Sequence, residues 1–182
     1  MSLAWPFQEM IPPRPAASGA ILMNRKLRIE KGLSTEILAL MADWQEIRGR
    51  FYLADHVQNH YGQETLLDVL NHPGKPFIPF AQDGEESVVL IQKSRIVGLR
   101  TSCANSVEWP RTQEDDEDCW PPAKMAFAGF SLEGCAYTGD MPPHRRRLAD
   151  LLNYGQTFFV LETDESPWIV NKDLLNHLVP LA

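Results

Sequence analysis

Two histidines with a spacing suited to metal binding stand in the first third of the chain. His56 and His60 are four residues apart, which on a helix would place both rings on one face, with Asp55 beside them. Imidazole nitrogens in such a pair can begin a metal site. Because no third ligand stands near them, we interpret both as surface histidines in a loop between a strand and a helix. We predict no metal site.

Two aspartates stand at equivalent places in two similar segments. Asp68 lies in LLDVLN (66–71) and Asp150 lies in LADLLN (148–153). Duplicated carboxylates that face each other could serve as a general acid and a general base. We favour a structural role, in which each carboxylate bonds a loop backbone or pairs with Lys93 or Lys172. No catalytic residue is predicted.

The basic residues concentrate in one cluster, His144-Arg145-Arg146-Arg147, at the start of the second predicted helix. This cluster could contact an anion, helped by the helix terminus. The alternative that we favour is pairing with the acidic run 114–118. The four residues are therefore candidates for a contact with an anion or a partner.

Common enzyme signatures are absent from the sequence. There is no G-x-S-x-G, no G-x-x-x-x-G-K-[ST], no G-x-G-x-x-G and no H-E-x-x-H. We therefore expect a protein that is not an enzyme and uses no cofactor.

The segments that would position these residues occur twice along the chain. The matched pairs are 47–52 with 132–137, 66–71 with 148–153, 77–80 with 158–161, and 91–96 with 170–175. All four follow the same order, with offsets between 79 and 85 residues. This pattern predicts a tandem duplication, with repeat 1 over 23–101 and repeat 2 over 124–182.

Each repeat is predicted to contain two strands, a short helix and three more strands. The helices end at Asn71 and Asn153, where asparagine tolerates the left-handed conformation of a C-cap. The last strands, 95–100 and 174–178, each follow a tight turn at Lys93-Ser94 or Lys172-Asp173. Leu66, Val69 and Leu70 have the i, i+3, i+4 spacing of a helix face, and the second copy matches it. Gly49 and Gly134 fall inside predicted strands, where glycine is typical of a bulge or a sharp bend. The prediction is a mainly β protein with short helices (α+β). Its two small SH3-like or Sm-like barrels, each β-β-α-β-β-β, would be related by a pseudo-twofold axis.

Two segments lie outside the repeats. Residues 1–22 form a proline-rich arm, which we interpret as a disordered tail or as a clamp through Trp5 and Phe7. Residues 102–123 form a linker with the acidic run 114–118, which is typical of a solvated segment. The alternative for the linker is an acidic patch that binds a basic partner.

Composition limits the partners and the compartment. The chain has 17 basic and 24 acidic residues, a net charge of -7, so nucleic-acid binding is disfavoured. No apolar run approaches the roughly 18 residues of a membrane span. Three cysteines, Cys103, Cys119 and Cys135, indicate a reducing compartment rather than a disulfide framework. We predict a cytoplasmic protein that has no contact with membranes.

The second repeat resembles a bacterial family of uncharacterised small β-rich proteins. The resemblance lies in Arg147–Asn153, the phenylalanines at 158–159 and Val170–Lys172, which match R-L-S-D-x-L-N and I-N-K segments. In the first repeat Thr65 replaces the arginine and Gln92 the asparagine. The resemblance implies a bacterial, cytoplasmic setting and a barrel-like unit, and it implies no activity.

Two functional hypotheses follow. The first is a non-enzymatic protein-interaction or regulatory adaptor module whose partner is an unknown protein, with a homodimer as one option. It predicts an apolar surface patch near the C-terminal Leu178–Leu181. The second is a small-ligand or nucleotide sensor, which predicts a polar cleft between the repeats that includes Arg145–Arg147.

Overall fold

The computed structural model describes residues 33–54, 64–101 and 119–181, with the backbone alone for 33–38 and 101. The proline-rich arm, His56, His60 and the acidic run 114–118 lie outside the described residues, and so do the predictions made for them. We call the described residues up to 101 unit one and those from 119 unit two.

Strands dominate both units. In unit one the elements are β1 Leu33–Met41, β2 Glu46–Leu53, α1 Leu66–Asn71, β3 Phe77–Gln82, β4 Val88–Gln92 and β5 Ile96–Thr101. In unit two they are β6 Pro122–Ala126, β7 Ser131–Ala136, α2 Leu148–Tyr154, β8 Phe158–Glu162, β9 Pro167–Asn171 and β10 His177–Pro180. The prediction of a mainly β protein with short helices is confirmed. Both units show the predicted order of elements, and the duplication itself stays a prediction.

The described strands form one antiparallel sheet of ten strands, in the order β10-β6-β7-β8-β9-β5-β1-β2-β3-β4. The two units meet where β5 pairs with β9, with Leu99 opposite Ile169 and Gly98 opposite Val170. We call this pairing the internal joint. Two separate closed barrels are therefore not what the structure shows, because the strands continue from one unit into the next.

The pseudo-twofold arrangement predicted from the sequence is wrong at the internal joint. A twofold axis brings the same surface of each unit together. The structure instead pairs the fifth strand of unit one, β5, with the fourth strand of unit two, β9. The units follow each other head to tail along the sheet.

The last strand also lies further along the chain than predicted. The sequence indicated a tight turn at Lys172-Asp173 and then a strand over 174–178. The turn is present as a 3-10 turn over Lys172–Leu174, in which the Leu175 N–H donates to the Lys172 carbonyl, but β10 begins at His177. A 3-10 turn stands at the matching place in unit one, at Lys93–Arg95.

Two glycines let neighbouring strands approach closely. A Cβ atom on Gly49 would lie 2.1 Å from the carbonyl oxygen of Ala81, and one on Gly134 would lie 2.1 Å from that of Glu162. The pairing of β1 with β2 runs past Gly49 without a change of register. The glycines are thus required by the approach of the third strand rather than by a bulge.

The hydrophobic core crosses the internal joint in both directions. The hydrophobic core cluster of unit one contains Phe51 and Phe80, and Phe158 and Ile169 of unit two pack into it. The core cluster of unit two includes Val97 of unit one. Each unit therefore completes its core with side chains of the other, as expected for units that are marginal alone at this size.

Candidate functional site

An asparagine side chain stabilises the internal joint beside the paired strands. The Asn71 Nδ2 atom donates to the Phe158 carbonyl oxygen at 2.9 Å, and the Phe158 N–H donates to Asn71 Oδ1 at 2.9 Å. The side-chain amide thus bonds the backbone as the peptide group of a neighbouring strand would. The sequence predicted Asn71 as a left-handed C-cap, which is wrong. The cap residue is His72, in an extended conformation, and Asn71 joins the two units.

A second asparagine crosses the joint from the other side. Asn171 is buried, and its Nδ2 atom donates to the Ile96 carbonyl oxygen at 2.9 Å. Its Oδ1 atom accepts from the Asp173 N–H at 3.0 Å, which begins the 3-10 turn after β9. A third amide side chain, Gln156 of unit two, accepts a hydrogen bond from Asn71 Nδ2, so both units contribute amide groups to the joint.

Lys93 closes the C-terminal end of α1. Its Nζ atom donates to the carbonyl oxygens of His72 at 2.6 Å and Val69 at 3.3 Å. Burial, and then the charge of Lys75, lowers the pKa of Lys93. Lys172 donates to the Gly155 carbonyl oxygen at the end of α2 in the same way.

Asp68, a candidate acid from the sequence, has a structural role. Its Oδ2 atom accepts from the Thr65 N–H, and its own N–H donates to Thr65 Oγ1, both at 3.1 Å. This reciprocal pair is a capping box at the start of α1. Asp150 lies in the first turn of α2, half-buried. The favoured structural interpretation is confirmed for Asp68.

The basic cluster does not converge on one point. His144 and Arg145 lie in a 3-10 turn before α2, and the Arg145 guanidinium stands 5.2 Å from the centre of the Tyr154 ring. Arg146 donates from Nε to the Met141 carbonyl oxygen at 3.2 Å, and Arg147 is the exposed residue before the helix. These four residues are spread over the start of α2 rather than collected in a cleft between the units.

Two cavities lie along the seam between the units. One, of about 480 Å³, is lined by the end of α1, by Lys93 and Ser94, and by Gln156 and Asp173 of unit two. The other, of about 230 Å³, lies against α2 and includes Arg145. In the larger cavity the Lys93 ammonium already donates to backbone carbonyls. That leaves less of its hydrogen-bonding capacity for a ligand.

Among the described residues, five of the seven exposed large apolar side chains lie at the two ends of the sheet, and the other two are Trp44 and Tyr154. Leu90 is 66% exposed, and Val88 of the same strand and Phe77 of β3 are exposed beside it; we call these three residues the β4 edge. At the other end Val179 and Leu181 are exposed, and we call this the β10 edge. Within the described ranges, β4 pairs only with β3, and β10 pairs only with β6.

The sequence predicted an apolar surface at one of these edges but not at the other. The apolar patch predicted at Leu178–Leu181 coincides with the β10 edge, although Leu178 itself is half-buried. The β4 edge was missed because Val88–Gln92 reads as an ordinary buried strand. The exposure of β4 follows from its place at the end of the sheet, and the residues of the strand itself do not indicate that place.

Metal and membrane features are absent from the part of the chain that the structure describes. There, no three His, Cys, Asp or Glu side chains are grouped so as to hold a metal ion. No helix among the same residues has the length and apolar character needed to cross a membrane. Comparison with protein-family models, with curated proteins and with solved structures finds no match to this chain.

Proposed function

We propose that this chain is a non-enzymatic protein-interaction module that binds protein partners at the two ends of its sheet. The observation that carries the proposal is the concentration of exposed apolar side chains at the β4 edge and the β10 edge. An edge strand presents a row of backbone N–H and C=O groups, and a partner strand that pairs with them gains main-chain hydrogen bonds.

The composition of the β4 edge supports this use. Natural proteins protect an edge strand from chance pairing with charged residues, proline or a bulge. The segment Val88–Gln92 contains none of these charges and no proline, and its pairing with β3 is regular. An apolar, regular edge of this kind is typical of a strand that is covered in the working state of a protein.

The same proposal includes three further properties indicated by the sequence. They are the SH3-like or Sm-like character of each unit, the bacterial and cytoplasmic setting, and the role of an adaptor or regulatory subunit. The close approach of the third strand at Gly49 and Gly134 supports the first of these, because glycine inside a strand is typical of the sharp bends found in small barrels.

Site-specific photo-crosslinking in the native cell tests the proposal. A photoreactive amino acid is placed at Leu90 in one variant and at Val179 in another, and adducts are identified by mass spectrometry. The matched control carries it at Asp164, which is exposed in the turn between β8 and β9. We expect protein adducts at both edges and none at the control. If neither edge yields a protein adduct above the control, the proposal is refuted.

A second candidate, a small-ligand or nucleotide sensor, is favoured by the cavity of about 480 Å³ at the seam. A ligand there would bridge the end of α1 and the start of β8 and so stabilise both units together. Thermal unfolding of the full chain in the presence of single nucleotides and single metal ions tests it. A rise in Tm that is lost in Lys93→Met would support the sensor. Unchanged Tm values would exclude those compounds as ligands.

A further inference from the structure

The two edges of the sheet are counterparts of the two strands that form the internal joint. In unit one, β4 is the fourth strand, as β9 is in unit two; in unit two, β10 is the fifth strand, as β5 is in unit one. The internal joint pairs a fifth strand with a fourth strand. Among the described strands, the sheet therefore ends on one side with a fifth strand and on the other with a fourth strand, each of which pairs with a single neighbour.

We propose that the partner of these edges is a second copy of this chain, joined head to tail, with β10 of one copy paired antiparallel to β4 of the next. The inference rests on the proposed function, since it names the partner that the open edges bind. Repetition of this contact is heterologous, so it produces a closed ring or an open filament rather than a twofold dimer.

The strand registers make the contact specific. In unit one Ile78 pairs with Ile91, and at the matching place in unit two Phe159 pairs with Val170, so Leu90 is the counterpart of Ile169. At the other edge, Ala39 of β1 and Met125 of β6 stand at matching places in the two units. Ala39 pairs with Leu99 and Met125 pairs with Leu178, so Leu178 is the counterpart of Leu99. Because Leu99 lies opposite Ile169, Leu178 of one copy is expected opposite Leu90 of the next.

Burial differs between counterparts in the direction that a missing neighbour would produce. Ile169 is 0% exposed and Leu90 is 66% exposed. Phe158, next to the joint, is 2% exposed, and its counterpart Phe77 is 51% exposed. In both cases the side chain in the joint is covered by the other unit, and its counterpart at the β4 edge would be covered by the next copy.

The asparagine of the joint also has a counterpart placed for the same use. Asn71 ends α1 and bonds the backbone of Phe158. Asn153 holds the matching place in α2, where it is exposed and donates to the Ala149 carbonyl oxygen of its own helix at 2.7 Å. In the head-to-tail contact, Asn153 would turn from Ala149 to the backbone of Phe77 in the next copy. The β10 edge and the β4 edge therefore offer the same three contacts as the internal joint: a fifth strand beside a fourth strand, an apolar side chain opposite an apolar side chain, and an asparagine amide within reach of a strand backbone.

Two variants that each block one edge test the proposal on the full purified chain. Leu90→Lys places a charge on the β4 edge, and Leu178→Lys places one on the β10 edge, at the counterpart of the buried Leu99. The charge-matched control is Gln45→Lys, in the exposed turn between β1 and β2. Mass is measured by light scattering after gel filtration and by native mass spectrometry, over a range of concentrations. Thermal unfolding checks that each variant is folded.

We expect the wild type and Gln45→Lys to form species of several chains. Each edge variant alone is expected to be a monomer, with self-association weakened about a hundredfold, as for loss of a central interface contact. An equal mixture of Leu90→Lys and Leu178→Lys should form a dimer of one copy of each, because each variant retains the edge that the other needs. This rescue by mixing is specific to head-to-tail pairing.

Several results would overturn the proposal. A wild type that stays monomeric at all concentrations would do so, as would a Leu178→Lys variant that dimerises alone, since that result means β4 pairs with β4. Crosslinking at position 90 with mixed light and heavy-isotope chains adds a direct reading. The expected adduct joins position 90 to the peptide around Leu178 of another copy. An adduct with residues 1–22 of the same chain refutes self-assembly. In the in-cell crosslinking at position 90, an adduct with a different protein and none with a second copy also refutes it, and that result would leave the proposed function standing.

Discussion

The internal joint and the outer edges of the sheet are the same kind of strand in two different surroundings. Ile169 and Leu90 stand at matching places in β9 and β4, and both are aliphatic. One is core and the other is surface, because only β9 has a strand from the other unit beside it. The burial of a strand in this protein is thus decided by its neighbour in the sheet and not by its own residues.

The helix-end asparagines show the same contrast. Asn71 bonds across the joint to the backbone of Phe158, whereas Asn153 bonds back to its own helix. Both are the sixth residue of their helix, although α1 ends at Asn71 and α2 continues to Tyr154. The difference comes from whether the first strand residue of another unit lies within reach.

The largest expected effect is a difference between matched truncations in the two strands. Ile169→Ala should lower the free energy of unfolding by about 4 kcal/mol, because it leaves a cavity in the shared core. Leu90→Ala should change it by about 0.5 kcal/mol, because most of that side chain is in water. Urea unfolding is measured at a protein concentration where the chain is monomeric. Equal losses in the two variants would show that the joint and the edge do not differ in this way.

The next effect should be the same in both units. Gly49→Ala and Gly134→Ala each place a methyl group against the backbone carbonyl of the third strand, which must move away. We expect each to cost about 3 kcal/mol. The control is Gly84→Ala, where φ is +82° but no atom lies near, so the cost should be about 1 kcal/mol. A small loss at either Gly49 or Gly134 would mean that the close approach is a feature of one unit alone.

The asparagine pair should give a smaller contrast. Asn71→Ala removes both bonds to the Phe158 backbone and leaves its N–H and C=O without these partners, at a cost of about 2 kcal/mol. Asn153→Ala removes one exposed bond within a helix and should cost less than about 0.5 kcal/mol. Thermal unfolding of the monomer measures both. The comparison fails if the Asn153 variant loses as much stability as the Asn71 variant.

The smallest expected effect is a pH trend at the helix end beside the joint. Burial lowers the pKa of Lys93 from its ordinary 10.5, so over the interval below 10.5 the unfolded chain holds more protons at this position. Stability therefore rises with pH over that interval. We expect the free energy of unfolding of the wild type, relative to Lys93→Met, to increase as the pH approaches 10. A difference that stays flat or falls would contradict the assigned direction.

Much of the local structure could be predicted from the sequence. The spacing of Leu66, Val69 and Leu70 indicated α1, and the repeated segments indicated the same order of elements in both units. The turn indicated at Lys172-Asp173 is present, but β10 begins at His177 instead of at residue 174. These features depend on residues that are near each other in the chain, which is why a sequence pattern records them.

The candidate site was harder to predict. The apolar Leu178–Leu181 segment was identified, but Leu90 was not, because an exposed edge strand and a buried strand have the same composition here. The asparagines were interpreted as helix caps, since a local pattern cannot show that Asn71 reaches Phe158, 87 residues away. The basic cluster at 144–147 drew attention in the sequence, and the structure spreads it over the start of α2.

By itself, the sequence determined the strands, the two short helices and the glycines that let strands approach. The spacing of hydrophobic residues, the turn residues and the glycines act over a few residues, so a sequence pattern records them. Only the tertiary structure decided that β5 pairs with β9 and that β4 and β10 end the sheet. Strands pair through hydrogen bonds between backbone groups, and every strand carries the same backbone groups. The residues of a strand therefore do not specify its partner through these bonds. Which strand meets which therefore depends on how whole units pack, because the core that crosses the joint is buried only in that arrangement.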